Sequence, residues 1–95
     1  MCCIVYAATA VPTEFRASIA EFAFKPDTMM VPVGTTVTWE NNDDIPHTVV
    51  SLDHTFRSPA LDTDDKFSFT FNKAGTFEYF CSFHPNMTAK IVVAP

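Results

Sequence analysis

Three phenylalanines alternate with polar residues in Lys66-Phe67-Ser68-Phe69-Thr70-Phe71-Asn72. A period of two suits a strand with one buried face, whereas a helix would scatter the same rings around its axis. The pattern recurs in Thr76-Phe77-Glu78-Tyr79-Phe80-Cys81, with Phe77, Tyr79 and Cys81 on one face. It recurs again in Thr35-Thr36-Val37-Thr38-Trp39-Glu40, with Val37 and Trp39 inward and Val33-Gly34 as the turn before it. Lys73-Ala74-Gly75 reads as the turn that joins the first two strands into a hairpin. Weaker strands are expected over residues 17–24, 29–31, 47–51 and 88–93. Pro26, Pro32, Pro46, Pro59 and Pro85 fall between or at the ends of these runs, where proline is tolerated. No stretch carries a sustained helical period, and only residues 58–65 leave room for a helical turn. Roughly seven or eight short strands separated by turns predict an all-β protein, an antiparallel Greek-key β-sandwich.

At 95 residues the chain suffices for one small domain and one core. Ten Phe and a hydrophobic content of 47% supply that core and exclude a disordered chain. The net charge of -5 argues against nucleic acid or an anionic membrane as partner, since both demand basic surface. The opening Met1-Cys2-Cys3-Ile4-Val5-Tyr6-Ala7-Ala8-Thr9-Ala10 is apolar, and Ala8-Thr9-Ala10 resembles the end of a secretory signal. Residues 1–15 are therefore expected to be an N-terminal extension or signal remnant, and residues 16–95 the domain. The apolar run is far below the ~20 residues of a membrane span. A disulfide from Cys2 or Cys3 to Cys81 is arithmetically open, but it would consume the one sulfur with a better use.

That use lies in Cys81-Ser82-Phe83-His84-Pro85-Asn86-Met87, where a thiol, an imidazole and a thioether stand three residues apart. A second imidazole, His47, follows Pro46. Two His and one Cys in a trigonal set with a weak axial Met make a mononuclear electron-transfer copper site. Strand direction supports convergence. If residues 35–40 ascend, His47 starts a descending strand at the top; residues 66–71 descend again and 76–81 return to the top. His47 and the Cys81–Met87 segment then share one end of the sandwich. Zinc accepts His and Cys, but a structural zinc site wants a fourth strong ligand and Met is a poor one. His54, beside Asp53, suits a solvated loop residue and is not taken as a ligand.

Residues 33–41, the Ile45-Pro46-His47-Thr48-Val49 segment, residues 71–79 and the Cys-x-x-His-x-x-Met motif of Cys81, His84 and Met87 together resemble a cupredoxin. The likeness covers about residues 17–94 and is nearest to the amicyanin and plastocyanin group. It implies one copper per chain held by His47, Cys81, His84 and Met87, with electrons passing through the solvent-edge His84. It further implies a periplasmic or otherwise extracytoplasmic host. Two departures stand out. Phe83 occupies a position that often carries Pro, adding an N–H that would raise the potential if it reached the Cys81 sulfur. Ala89 replaces a frequent Gly, a modest change.

The expected function is one-electron transfer between redox proteins, without enzymatic turnover, because the ligand set leaves no strong open position. Thr48 is a candidate tie between the His47 segment and the ligand loop. Phe83, Pro85 and Pro46 would give the His84 edge an apolar docking face, as small transient redox interfaces require. Asp43, Asp44, Asp62, Asp64 and Asp65 would steer a basic partner, such as a c-type cytochrome or a dehydrogenase, towards a monomeric carrier. The alternative is a copper-binding or copper-delivery module of the same fold, though Met-rich or His-rich tracts are missing. A domain of a multicopper oxidase would need further ligands, and a dinuclear centre a second loop Cys.

Overall fold

A computed structural model describes residues 14–95. Its strands are β1 (Glu14–Ala20), β2 (Ala23–Lys25), β3 (Thr28–Pro32), β4 (Thr35–Asn41), β5 (Val50–Ser51), β6 (Lys66–Phe71), β7 (Gly75–Cys81) and β8 (His84–Ala94). They form two four-stranded sheets, ordered β2-β1-β4-β6 and β3-β8-β7-β5. The expected sandwich is present, and no helix occurs among the described residues. Residues 1–13, with Cys2 and Cys3, lie outside the described part; Glu14 and Phe15 already belong to β1.

The pairing is mixed rather than wholly antiparallel: β1 runs parallel to β4, and β3 parallel to β8. β1 reaches β4 through a hairpin and a return at Gly34, two reversals that restore its direction. Gly34 has a φ of 94°, a conformation glycine adopts without strain.

The proposed β6–β7 hairpin does not form. β6 pairs with β4 in one sheet and β7 with β8 and β5 in the other, so the exposed residues 72–74 pass from one sheet to the other. Alternation dictates which face is buried, not which neighbour completes the ladder. Phe71 and Phe77 meet across the sandwich with ring centroids 5.3 Å apart. The run over 17–24 is broken by a two-residue turn at Glu21 and Phe22. Of the run over 47–51 only Val50–Ser51 is strand, while His47 forms an isolated bridge to Leu61. Residues 62–65 make a turn, with Asp65 N–H donating to the Asp62 carbonyl at 2.9 Å, in the stretch 58–65 that left room for a helical turn.

Trp39 and Tyr79 anchor the core from opposite sheets, and the indole N–H donates to the Tyr79 hydroxyl at 3.1 Å. Burial pushes the Tyr79 phenol up to about 12, outweighing the opposing effect of the Trp39 bond; the charge of Asp27 adds a small upward push. A phenol whose pKa rises on folding stabilises the protein fully below pH ~10. That contribution is lost as pH rises from the unfolded value towards 12, because the unfolded chain releases the proton first. Urea melts between pH 9 and 12 should show a loss of about 2–3 kcal/mol from this group. Tyr79→Phe should flatten that slope, and an unchanged slope would show that the phenol does not cause it.

Candidate metal centre

β4 ends at Asn41, whose side chain is fully buried and shapes the following loop. Its Nδ2 donates to the carbonyls of Ile45 and Leu61, both at 2.8 Å, and its Oδ1 accepts from Asp43 N–H at 2.8 Å. The loop therefore curls back and delivers Pro46 and His47 to the top of the sandwich. There His47 exchanges both backbone hydrogen bonds with Leu61, at 3.0 and 2.7 Å.

The His47 ring is completely enclosed. Nε2 lies 2.8 Å from Asp43 Oδ2 and Nδ1 lies 3.6 Å from Cys81 Sγ. A carboxylate only accepts, so Nε2–H donates to Asp43, and Nδ1 faces the sulfur side. Partial burial raises the Asp43 pKa, but the Phe22 and Glu21 amides and the His47 ring outweigh it and hold the carboxyl below its usual range. Asp43 is thus an acceptor that points inward. The sequence offered it only as a steering charge; the contacts add a positioning role.

The ligand segment is a strand pair rather than an open loop. Cys81 ends β7, His84 opens β8, and the two are partners across Ser82 and Phe83, with the register shifted at Phe80/Cys81. This is the hairpin of the second sheet. It sets His84 Nδ1 3.6 Å from Cys81 Sγ. Cys81 is fully buried, while His84 is partly exposed. Met87 is buried on β8, three residues beyond His84, and belongs to the core cluster.

Thr48 joins the two segments. Its N–H donates to Cys81 Sγ at 3.4 Å, and its Oγ1 accepts from Ser82 N–H at 2.7 Å and lies 2.8 Å from Ser82 Oγ. The same hydroxyl is 3.8 Å from the sulfur. The amide aimed at the thiol therefore comes from Thr48. Among the described residues Phe83 N–H makes no hydrogen bond to it, and the Phe83 side chain is half-exposed.

His47, Cys81 and His84 offer donor atoms that all lie within 4.8 Å of one another. Bonds of about 2.1 Å to nitrogen and 2.3 Å to sulfur, at angles between tetrahedral and trigonal, would set N and S about 3.6–3.8 Å apart. Both observed N···S separations are 3.6 Å. Both N···S separations fit a small thiophilic metal ion, and one thiolate with two imidazoles is the set that favours copper.

The structure thus brings three of the four sequence candidates together, and the fourth, Met87, is buried on β8. His54 stands apart in the 52–56 turn at a φ of 66°. Asn41, Asp43 and Ser82 were not expected to organise the site. An acidic residue four positions before a candidate ligand histidine was an available signal for Asp43. Phe22, which stands edge-on to both imidazoles, offered none.

Comparison with known proteins agrees with this geometry. Residues 2–93 match the cupredoxin-like domain. The chain is 36% identical over 80 residues to amicyanin of Paracoccus denitrificans, covering 79% of this chain and 61% of that protein. It therefore spans about three fifths of that relative's length. Identity to amicyanin-alpha of Methylorubrum extorquens is 33%, covering 94% of this chain and 77% of that protein. A purple cupredoxin from Nitrosopumilus maritimus superposes with a TM-score of 0.80 at 34% identity, covering 83% of this chain and 98% of that one. The reduced form of an amicyanin mutant gives the same TM-score and identity, over 93% and 90% of the respective chains. Domain match, relatives and fold converge: the chain belongs to the cupredoxin-like family.

Proposed function

We propose that this protein is a one-electron carrier with a single mononuclear copper, held by His47 Nδ1, Cys81 Sγ and His84 Nδ1, with Met87 as the weak axial ligand. The observation that carries the reading is the pair of 3.6 Å N···S separations in a triad with two buried members. Copper supplies one-electron cycling between Cu(I) and Cu(II), and the chain's part is to keep its ligands still. Asp43 fixes the tautomer and tilt of His47, Asn41 fixes the loop that carries it, and Thr48 locks that loop to the Cys81–His84 hairpin. Rigid donors minimise rearrangement between oxidation states.

Electrons pass through His84, the one partly exposed member of the triad. Exposed Phe22, Phe83, Pro46 and Pro85 form the docking face, and the exposed acids Asp44, Asp62, Asp64 and Asp65 favour a basic redox protein. The protein acts as a monomer and not as an enzyme. An extracytoplasmic location rests on the family likeness and the Ala8-Thr9-Ala10 run; no helix of the described residues is long and apolar enough to cross a membrane.

Addition of Cu(II) should produce an intense visible thiolate-to-copper band with narrow copper hyperfine splitting in the electron-paramagnetic spectrum. A colourless protein or an ordinary tetragonal signal would refute the reading. Thr48→Val should cost about 1–2 kcal/mol, because Ser82 N–H loses its acceptor. It should also lower the reduction potential, since a donor near the sulfur disappears. Chemical denaturation and protein-film voltammetry read the two effects separately.

A further inference from the structure

β1 and β2 are joined by two residues, Glu21 and Phe22, with Ala20 and Ala23 as the closing pair. Their φ angles are 54° and 58°, so both occupy the left-handed region. This is the mirror-image tight turn, which ordinarily takes Asn-Gly because a bulky side chain is strained there. Phe22 is moreover 56% exposed, so burial does not repay its presence. What offsets the strain is Asp43: Oδ1 accepts from Glu21 N–H at 2.8 Å and Oδ2 from Phe22 N–H at 3.0 Å. The same Oδ2 holds His47 Nε2 at 2.8 Å. One carboxylate therefore fixes both the unusual turn and a candidate metal ligand.

The consequence is where the Phe22 ring stands. Its centroid is 5.1 Å from the His84 ring at an interplanar angle of 85°, and 5.8 Å from the His47 ring at 86°. The two imidazoles are 5.1 Å apart at 53°. Perpendicular rings at such separations have the favourable edge-to-face arrangement. His47 is already secured by Asp43 and by its backbone bridge. His84 has no comparable restraint: among the described residues its ring makes no hydrogen bond besides the Cys81 contact.

We infer that Phe22 is a positioning residue for His84: its ring, held over the site by the Asp43-pinned turn, keeps the exposed imidazole facing Cys81 and blocks entry of small ligands beside it. The inference deepens the copper reading and rests on it for the ligand-entry part. The restraint on the ring itself exists without metal.

Phe22→Gly separates positioning from stability, because glycine suits the left-handed turn and removes the aromatic ring. Phe22→Asn serves as a second variant that tolerates the same backbone. Both should melt at or near the wild-type temperature. In the metal-free proteins at fixed pH, carbon-13 relaxation of the His84 ring should show one ordered conformer in the wild type and exchange between orientations in the variants. In the copper-loaded proteins, azide should bind roughly two- to tenfold more tightly to the variants, the range expected for loss of one aromatic contact. Phe22→Tyr should restore both properties.

Unchanged His84 dynamics in the two metal-free variants would overturn the inference, as would a lowered melting temperature with the ring still ordered. If copper fails to bind the wild type, the carrier reading falls. The relaxation measurement still decides whether Phe22 positions His84.

Discussion

Cys81→Ala should leave a folded, colourless protein. The side chain is fully buried but small, so its loss should cost the sandwich only about 1–2 kcal/mol, from a modest cavity and an unanswered Thr48 N–H. The metal site should lose far more. Alteration of groups that merely support a ligand typically costs 10–100-fold in metal affinity, so removal of the thiolate itself should exceed roughly 100-fold. Competition with a copper chelator measures the affinity, and the visible band should vanish altogether. A band that survived would mean that the chromophore uses another sulfur, Cys2 or Cys3. Cys81→Ser tests whether size or sulfur matters, since it preserves the volume and still should not show the colour.

The largest loss of stability should follow Trp39→Ala. The indole is fully buried and stacks on Phe56 at 5.5 Å, with Phe67 at 5.8 Å and Tyr79 edge-on at 5.5 Å. Truncation of a buried aromatic typically costs 3–5 kcal/mol, and here the Tyr79 hydroxyl also loses its donor. In a domain of this size the melting temperature should fall by roughly 15–30 °C. Trp39→Phe retains most of the packing and gives up the hydrogen bond, so it should cost about 1–2 kcal/mol. A loss below about 1 kcal/mol for Trp39→Ala would mean that the two sheets do not depend on this contact.

Alternating residues made most of the strands legible, because the period of two reports a buried face wherever the chain runs extended. The inward placement of Val37, Trp39, Phe77, Tyr79 and Cys81 follows from it directly, and all five are buried. Pairing partners were less legible. Phe71 and Phe77 look like a hairpin's two arms because both point inward, yet they face each other from opposite sheets. The convergence of His47 with Cys81 does not depend on that pairing, only on strand direction. β4 and β6 are antiparallel, as are β5 and β7, so the alternation of direction held although the supposed hairpin did not.

Around the metal centre, donors of distinctive chemistry were legible and their supports were not. Cys81, His84 and Met87 announce themselves by type and spacing. Asp43 and Phe22 become meaningful only when residues more than twenty apart in sequence touch. The direction of the Phe83 amide was likewise undetermined by sequence, because a donor's effect depends on where its N–H points.

The Cys81–His84 hairpin has a further consequence for the order in which the molecule folds. Its two donors are three residues apart and meet through a local strand pair, whereas His47 Nδ1 joins Cys81 from 34 residues away. Long-range pairings, such as β3 with β8, close only after most of the chain has been synthesised and searched. A full-length chain folding from the unfolded state can therefore assemble half of the candidate site early and the whole of it only when the sheets close. Metal met before folding finds a two-donor clasp of low selectivity, and metal met afterwards finds the full three-donor group. The timing of metal encounter then becomes a determinant of which ion is captured.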